Sequence, residues 1–288
     1  MTTTVMRFAI TAAGGQLGAE IVKAAIELVG NDRVVGLART PSKAQSLGVE
    51  VRAGDYDSPA DLASSLRGID ALLLVSGMDA PERRIGQHRN VIESAKKAGV
   101  RKIVYTSIQG AEEGTAFTPI VRSNRQTEQD VRESGLDWVV GRNGIYIEPD
   151  IEYLDRYVLA GGISNSAGDG RCGYTTRPEL AHAYARMMTS DDHNGHTYDL
   201  HGQALTQAEL AAHLNDAFGT DLTYTPMSVE EYRADRIAEL GEFMGTIIAG
   251  IYQGIREGAA DRPSHYLTAT GRNHLGWDEY FSGLAAQR

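Results

Sequence analysis

The amino-acid sequence predicts an α/β fold in which a doubly wound parallel sheet precedes a smaller C-terminal α/β lobe. Short apolar, β-prone runs alternate with segments of helical periodicity through the first half of the 288 residues, which is the pattern of repeated strand–helix–strand units. The run at 69–75 (IDALLLV) is almost wholly apolar, as expected of a strand covered on both faces. After Arg142 this rhythm ends. Together these observations favour a Rossmann-type sheet.

The first half contains six expected strands joined by helices. The strands are placed at 5–11, 33–38, 49–53, 69–75, 102–105 and 137–141, and the helices at 17–28, 42–47, 59–66, 83–98 and 121–134. Gly99 directly follows the fourth helix, where a glycine commonly caps a helix C-terminus. Because the connections are short, we expect right-handed crossovers that place helices on both faces of one sheet, within residues 1–145.

The second half, residues 146–288, is expected to form a smaller lobe that packs on the sheet. Glycine turns at 161–162 and 168–170 separate its elements. Helices are expected at 177–190, 207–218 and 229–254, with short strands near 197–200 and 222–225. No low-complexity linker divides the two halves, so some segments of the lobe are free to return to the sheet.

Composition and charge disfavour several classes of protein. The 28 Lys and Arg residues against 38 Asp and Glu give a net charge of -10, which disfavours nucleic-acid binding because the phosphates would be repelled. The single cysteine, Cys172, cannot form an intramolecular disulfide and fits a reducing cytoplasm. No apolar stretch approaches the ~18 residues of a membrane span, and residues 1–6 do not predict a secretory signal. His193 and His196 lie in a polar loop typical of a solvated turn, so no metal site is expected.

A turn of small residues follows the first expected strand. Ala12, Gly15 and Gly18 occupy the three positions of a glycine-rich turn that opens the first helix, with alanine in place of the first glycine. Gly14 and Gly15 let the backbone approach a diphosphate, and the helix N-terminus offers unpaired N–H groups and partial positive charge. Ordinary strand-to-helix turns use similar residues, but the position in the first strand–helix unit favours a dinucleotide site.

The end of the second strand predicts which dinucleotide binds. A site selective for NADH carries an acidic residue here for the ribose hydroxyls, whereas this sequence has Arg39 and, one turn further on, Lys43. A guanidinium and an ammonium group would attract a 2'-phosphate, so we expect NADPH as the cofactor. The alternative is that both side chains are merely solvated cations.

Polar or small residues follow four further strands, where ligands bind in open parallel sheets. They are Asp55 and Tyr56, then Val75, Ser76 and Gly77, then Thr106 and Ser107, and finally Asn143. We expect Asp55 near the adenine amino group with Tyr56 beside the ring, although aspartate in a turn commonly caps the backbone.

Three side chains are candidates for positioning the reacting groups. Asn143 is a candidate to orient the nicotinamide carboxamide or the acceptor oxygen, and Tyr146 and Tyr174 are candidates to line the cleft. His88, on the helix after the fourth strand, is more typical of a packing histidine than of a catalytic one.

These motifs resemble those of the NmrA-like, atypical short-chain dehydrogenase/reductase family, in particular its bacterial NAD(P)H:quinone oxidoreductase and triphenylmethane reductase members. The matching stretches include AAGGQLG (12–18), LART (37–40), VYTS (104–107), TEQDVRESGLDWVVGRNGIY (127–146) and AGDGRCGYTTRPELAHAYARMM (167–188). They follow the family's order from the N-terminal region into the second lobe.

The resemblance implies a sheet domain that binds NADPH and a second lobe that shapes the substrate cleft. It places the cofactor-facing positions at Gly15, Gln16, Leu17, Gly18, Arg39, Lys43, Asp55, Ser76, Gly77, Thr106 and Asn143. Ala12 departs from the family pattern, which has a glycine at that point of the turn.

The sequence lacks the Tyr-x-x-x-Lys pair of ordinary short-chain reductases, in which the lysine lowers the pKa of the tyrosine. All five lysines precede residue 103, and none lies four residues after a tyrosine. Ser123 and Asn124 stand where related proteins can carry Lys or His. A quinone or a conjugated cationic dye accepts hydride directly, so we expect an NADPH-dependent oxidoreductase that acts on such small molecules.

Two alternative functions stay open. The missing acid–base residues also fit an NADP-binding redox sensor of the NmrA type that has no turnover. An enone or imine reductase of a biosynthetic pathway is a further alternative.

The apolar stretch 243–252 is expected to be either core or the face of a homodimer.

Overall fold

The computed structural model describes residues 6–286; residues 1–5, where the first expected strand begins and most of the signal prediction falls, lie outside the described residues. The strands are β1 (Phe8–Ile10), β2 (Val34–Ala38), β3 (Glu50–Ala53), β4 (Ala71–Leu74), β5 (Lys102–Ile108), β6 (Asp137–Asn143), β7 (Ile145–Tyr146), β8 (Gly162–Asn165), β9 (Tyr174–Thr175), β10 (His196–Leu200) and β11 (Thr223–Pro226). The α-helices are α1 (Gln16–Val29), α2 (Pro59–Ser65), α3 (Pro81–Ala98), α4 (Thr118–Arg132), α5 (Glu148–Glu152), α6 (Leu154–Ala160), α7 (Arg177–Thr189), α8 (Gln207–Phe218), α9 (Val229–Arg256), α10 (Tyr266–Thr270) and α11 (Trp277–Ala285). Short 3-10 helices occupy Asn31–Arg33, Pro41–Leu47 and Asp191–His193.

A seven-stranded parallel sheet runs through the centre of the fold in the order β10-β6-β5-β4-β1-β2-β3. Phe8 of β1 pairs with Val34 of β2 on one side and with Ala71 of β4 on the other. The strand order therefore reverses between β1 and β4, and such a switch point opens a crevice at the carboxyl ends of the strands. The prediction of a doubly wound, Rossmann-type α/β sheet is confirmed.

Helices cover both faces of the sheet, as its apolar strands require. On one face α1 packs against α7, and Ile21 and Tyr184 are fully buried there together with Phe8. On the other face α2, α3 and α4 form a second core that contains Val91. Because side chains alternate along a strand, Phe8 enters the first core and its neighbour Ala9 the second.

The second lobe has a core of its own. In it β8 pairs with β11 and β7 pairs with β9, and Ile147, Leu210 and Trp277 are buried together. Three segments of the range 146–288 return to the sheet instead, since β10 pairs with β6, α7 packs on α1, and α10 packs on α7 and β10. The domain boundary between residues 145 and 146 stays a prediction.

Several elements differ from their expected form: the helix expected at 42–47 is a 3-10 helix, and β6 continues to Asn143. β5 continues to Ile108, because its polar end pairs in register with β6. The axis of α9 breaks at Gly241, whose φ of 80° is left-handed, and Gly245 then packs closely on the backbone of Ile237. Within residues 6–286, no helix combines the length and the apolar character that crossing a bilayer would require.

Candidate functional site

A cavity of about 570 Å³ opens at the carboxyl ends of β1 to β4, a volume typical of cofactor and small-molecule sites. Nine residues predicted from the sequence line it, namely Ala12, Gly14, Gly15, Arg39, Lys43, Asp55, Tyr56, Ser76 and Gly77. The wall also contains Ala38, Thr40, Gly54, Met78, Asp79 and Gln87. The cavity thus lies at the switch point of the sheet and joins four strand ends.

The turn between β1 and α1 is shaped by close backbone contacts. Ala12 has a left-handed φ of 50°, which a glycine would adopt with less strain. The Ala12 carbonyl accepts a hydrogen bond from the Gly15 amide at 2.9 Å. A Cβ atom on Gly18 would overlap that same carbonyl oxygen. Gly18 therefore allows α1 to approach β1, and it is a packing residue rather than a lining one.

The N-terminus of α1 has the features of an anion site. Among the described residues, the amide groups of Gly14, Gln16 and Leu17 have no hydrogen-bond partner, and the first turn of α1 carries no acidic side chain. Both features favour a bound diphosphate. A Cβ atom on Gly14 would meet only the Ala38 side chain, at 4.0 Å. The space over Gly14 is therefore not filled by protein, and it fits the diphosphate of a dinucleotide.

Two cations border the cavity on its β2 side. Arg39 and Lys43 are exposed, and neither forms an ion pair with any other residue in the described range 6–286. A neighbouring carboxylate is already engaged, because Arg83 donates to Asp57 at 2.6 Å and lowers the pKa of that carboxyl group. Arg39 and Lys43 are thus available for an external anion.

The residues after β3 serve both the turn and the cavity. Asp55 Oδ1 accepts from the Asp57 amide at 3.1 Å, which is the backbone cap that the sequence allowed. The Tyr56 hydroxyl lies 2.5 Å from Thr11 Oγ1 and donates to the Val75 carbonyl at 2.7 Å. Burial raises the pKa of Tyr56. Its hydroxyl therefore ties three strand ends together, while the residue also lines the cavity.

Side chains of α3 fix the backbone that follows β4. The Gly77 amide donates to His88 Nε2 at 3.0 Å, and the Gly77 carbonyl accepts from Arg84 at 3.3 Å. His88 Nδ1 lies 2.9 Å from the Thr127 hydroxyl. Burial lowers the pKa of His88 to about 3, so this histidine is a neutral residue that holds Gly77 in place.

Asn143 joins β6 to Tyr146. The Tyr184 hydroxyl lies 2.5 Å from Asn143 Oδ1, and Asn143 Nδ2 lies 3.4 Å from the Tyr146 hydroxyl. Burial raises the pKa of Tyr146 to about 12, and the Arg177 guanidinium lies 5.1 Å from the centre of its ring. Neither Asn143 nor Tyr146 lines the cavity itself, and their positioning roles stay predictions.

Other predicted residues lie behind the cavity wall or away from it. The Thr106 hydroxyl accepts from the Ser76 amide at 2.8 Å and so supports the wall from behind. The Ser107 hydroxyl instead donates to buried Glu128 at 2.7 Å. Tyr174 is fully buried in the core of the second lobe. The structure therefore does not bring Ser107 or Tyr174 to the cavity.

The remaining predicted residues belong to the helix start and the core. Leu17 and Val75 are buried in the core of the sheet, and Gln16 is exposed at the first position of α1. Leu17 and Val75 can therefore offer backbone atoms, rather than side chains, to a ligand.

Sequence reasoning missed six residues of the wall: Ala38, Thr40, Gly54, Met78, Asp79 and Gln87. Four of them, Ala38, Thr40, Gly54 and Met78, directly flank predicted residues, so a wider window at each strand end would have found them. The other two, Asp79 and Gln87, lie in the loop after β4 and on α3, where no local motif marks them.

Comparison with known proteins identifies the family. A sequence model described as NAD(P)H-binding matches residues 12–191, a range that includes the whole cavity wall. Quinone oxidoreductase 2 of Escherichia coli (strain K12) is 36% identical over 230 residues, which cover 78% of this chain and 79% of that protein. An NmrA-like family domain-containing oxidoreductase of Aspergillus flavus is 30% identical over 257 residues, 85% of this chain and 83% of that protein.

A solved structure agrees with the sequence matches. Triphenylmethane reductase of Citrobacter sp., complexed with NADP(H), superimposes with a TM-score of 0.88 at 31% identity, over 97% of this chain and 100% of that chain. The resemblance noted in the sequence is thereby confirmed. This chain belongs to the NAD(P)H-binding family and is an NmrA-like NAD(P)H-dependent oxidoreductase.

Proposed function

We propose that this oxidoreductase transfers hydride from NADPH to a quinone or another conjugated, electrophilic small molecule, without a Tyr/Lys acid–base pair. The observation that carries the proposal is the cavity at the switch point, which combines the open N-terminus of α1 with two cations that have no ion-pair partner among residues 6–286. The names of the similar proteins, a quinone oxidoreductase and a triphenylmethane reductase complexed with NADP(H), support the same choice.

The charges around the cavity give the nucleotide an orientation. The unpaired amides of Gly14 and Gln16 would bind the diphosphate. Arg39 and Lys43 would bind the 2'-phosphate of the adenosine half, on the side of β2. The nicotinamide half would then extend over the end of β4, past Ser76.

The residues at the end of β4 would orient the nicotinamide ring and exclude water from it. When bound, NADPH supplies a hydride, that is, two electrons and one hydrogen, from C4 of this ring. The backbone of Gly77 is fixed on both sides by His88 and Arg84. Ser76 Oγ lies 3.2 Å from Asn124 Oδ1, which holds the neighbouring part of the wall.

The side chains behind this wall are poor proton donors. The Tyr105 hydroxyl donates to Asn124 at 2.7 Å, and burial raises the pKa of Tyr105 to about 12. Lys102 lies at the other end of β5, where its ammonium group donates to the Ser190 carbonyl. The acceptor must therefore take hydride before it is protonated, and the balancing proton would come from water. Quinones and conjugated cations meet this requirement.

Calorimetric titration tests the choice of nucleotide. We expect NADPH to bind more tightly than NADH and Arg39→Ala to weaken NADPH binding by about tenfold or more, because one charge-assisted hydrogen bond is worth roughly 1.5–3 kcal/mol. Arg67→Ala is the matched control, because Arg67 is also an exposed arginine but does not line the cavity. Equal affinities for the two nucleotides would refute the assignment of Arg39.

A panel of acceptors tests turnover. NADPH oxidation would be followed with quinones, a triphenylmethane dye, enones and imines, and we expect the quinones and the dye to be reduced. Saturable NADPH binding with no turnover across the panel would instead favour the redox sensor. Preferential reduction of enones or imines would favour the biosynthetic reductase.

We further propose that the protein acts in the cytoplasm and has no nucleic-acid partner. Its one cysteine, Cys172, is fully buried, which suits a protein that does not depend on disulfides. The net charge of -10 would repel a polyphosphate backbone.

A further inference from the structure

We propose that the side-chain amide of Gln109 binds the polar oxygen of the hydride acceptor, in a small apolar pocket between the sheet and the second lobe. The inference rests on the proposed function, and it adds the residue that would recognise a carbonyl acceptor. It concerns a residue and a pocket separate from the nucleotide cavity described above.

Gln109 is placed at the edge of the sheet where ligands bind. It directly follows β5, and its backbone amide donates to the carbonyl of Asn143, the last residue of β6, at 2.9 Å. Both residues therefore sit at the carboxyl ends of neighbouring strands, on the side of the switch point over which the nicotinamide half would lie.

The side chain of Gln109 is buried without partners. The residue is 2% exposed, and neither Nε2 nor Oε1 has a hydrogen-bond partner within the described part of the chain. An unpaired buried amide costs roughly 1–3 kcal/mol per lost partner. Such a group in a native fold calls for a ligand or a bound water.

Gln207 shows what a buried glutamine with a structural role looks like in this fold. Gln207 is fully buried, donates to the Tyr174 hydroxyl at 2.9 Å and accepts from Asn165 at 2.8 Å. Both ends of its amide are thus satisfied. Gln109 has the same chemistry and nearly the same burial, but it contributes no side-chain hydrogen bond to the described fold.

The pocket at Gln109 is apolar and has walls from both halves of the molecule. Phe117 lies just before α4, Ile145 is in β7, and Ile251 and Ala260 come from α9 and the segment after it. The volume of about 10 Å³ is close to that needed for one water. The pocket therefore admits a single polar atom, and the rings of an acceptor would lie at its mouth against the apolar walls.

A side-chain amide can form a hydrogen bond with both the substrate and the product of quinone reduction. Its N–H group can donate to a quinone carbonyl, and its carbonyl can accept from the hydroxyl of the hydroquinone product. Reduction adds one hydride and one proton to the quinone, so the bound oxygen changes from acceptor to donor. The same side chain can satisfy that oxygen before and after the reaction.

The test compares Gln109→Leu and Gln109→Met with wild type, and Gln207→Leu serves as the control. For the Gln109 variants we expect the KM for 1,4-benzoquinone to rise about five- to tenfold, the factor for one lost hydrogen bond. The dissociation constant of 1,4-hydroquinone, measured with the NADP+-loaded protein, should rise by the same factor. The NADPH dissociation constant should not move. The ratio of kcat/KM for benzoquinone over that for a triphenylmethane dye without a carbonyl should fall by a similar factor.

Thermal unfolding separates binding from structure. Gln109→Leu should be as stable as wild type or more stable, because it removes an unpaired buried amide, whereas Gln207→Leu should be less stable. An unchanged quinone KM and hydroquinone affinity, or a loss of stability as large as that of Gln207→Leu in both Gln109 variants, would overturn the inference. If wild type binds hydroquinone through Gln109 but does not reduce quinones, the pocket stands and the proposed function fails.

Discussion

A buried carboxyl group in the second lobe should make the stability of the protein depend on pH. Asp150, on α5, is 4% exposed and accepts a hydrogen bond from the Tyr157 hydroxyl at 2.7 Å. Burial raises the pKa of Asp150 from 3.8 to about 6. The folded protein therefore binds this proton more tightly than the unfolded chain does. The resulting contribution to the free energy of unfolding is fully present below pH 3.8 and is lost as the pH rises through about 6.

Asp150→Asn removes the charge and keeps an oxygen that can accept from Tyr157. The difference between 3.8 and about 6 corresponds to about 3 kcal/mol at pH 8, where wild-type Asp150 is ionised in both states. At pH 5 the same linkage gives about 1.5 kcal/mol. We therefore expect the advantage of the variant over wild type to grow by about 1.5 kcal/mol between pH 5 and pH 8.

Urea unfolding of both proteins at pH 5 and pH 8 measures this difference. Any pH-independent cost of the new amide group is the same at pH 5 and pH 8. The quantity to compare is therefore the change, between the two pH values, in the difference between the free energies of unfolding of the variant and wild type, here called the gap. Asp155→Asn is the control, because Asp155 is exposed on α6 and its carboxyl keeps its hydration in the folded state. A gap that is equal at pH 5 and pH 8, or that shrinks, would show that Asp150 is not held in an environment that disfavours its charge.

Two further predictions concern the glycine turn and the assembly. Ala12→Gly should stabilise the protein by about 1 kcal/mol, because a left-handed alanine costs roughly 1–2 kcal/mol and the greater conformational freedom of glycine in the unfolded chain offsets only part of this gain. The control is Ala13→Gly, which should destabilise the protein because Ala13 is fully buried and has no positive φ. Thermal melts in which both variants lose stability would contradict the reasoning. Phe243 and Met244 are 59% and 42% exposed on α9, so we expect this apolar surface to form a homodimer. Analytical sedimentation should then show a dimer for wild type and a monomer for Phe243→Ser. A monomeric wild type would rule out the homodimer.

The central sheet could be predicted from the sequence because its signals are local. Each of its first six strands is an apolar run between turn residues, and pattern alone places such runs. The polar end of β5 was not expected to be strand, because Ser107 is accommodated there through long-range contacts with Arg125 and with Glu128, which also binds Arg132 and Arg142. The break at Gly241 likewise depends on how Gly245 packs against Ile237, a contact across the turn that periodicity does not encode.

In the candidate site too, residues marked by the local sequence could be predicted, whereas residues placed by long-range packing could not. Gly14, Arg39 and Asp55 could be found from the sequence because each lies within four residues of the end of a strand, and the sheet alone then brings them to one edge. The lining role of Gln87 depends on the angle at which α3 packs, and the isolation of the Gln109 amide depends on α9 closing over it. The local sequence predicts a cleft-lining role for Tyr174 as strongly as for Tyr146. Packing against residues distant in sequence nevertheless buries Tyr174 in the core of the second lobe.

The charge of the whole chain does not decide the potential at the cavity, because Asp57 and Asp79, two of the carboxylates near it, form ion pairs with Arg83. Arg83 donates to Asp57, and Gln87 donates to both Asp57 and Asp79, at 3.0 and 2.6 Å. Arg39, with no ion pair in the range 6–286, keeps its charge available. A protein of net charge -10 can therefore hold a polyanionic nucleotide where a few cations and helix amides are left unpaired and two of the nearby carboxylates are paired with Arg83. Exposed pairs are screened by salt over about 8–10 Å, so the attraction depends on this local arrangement rather than on the distant surface charge.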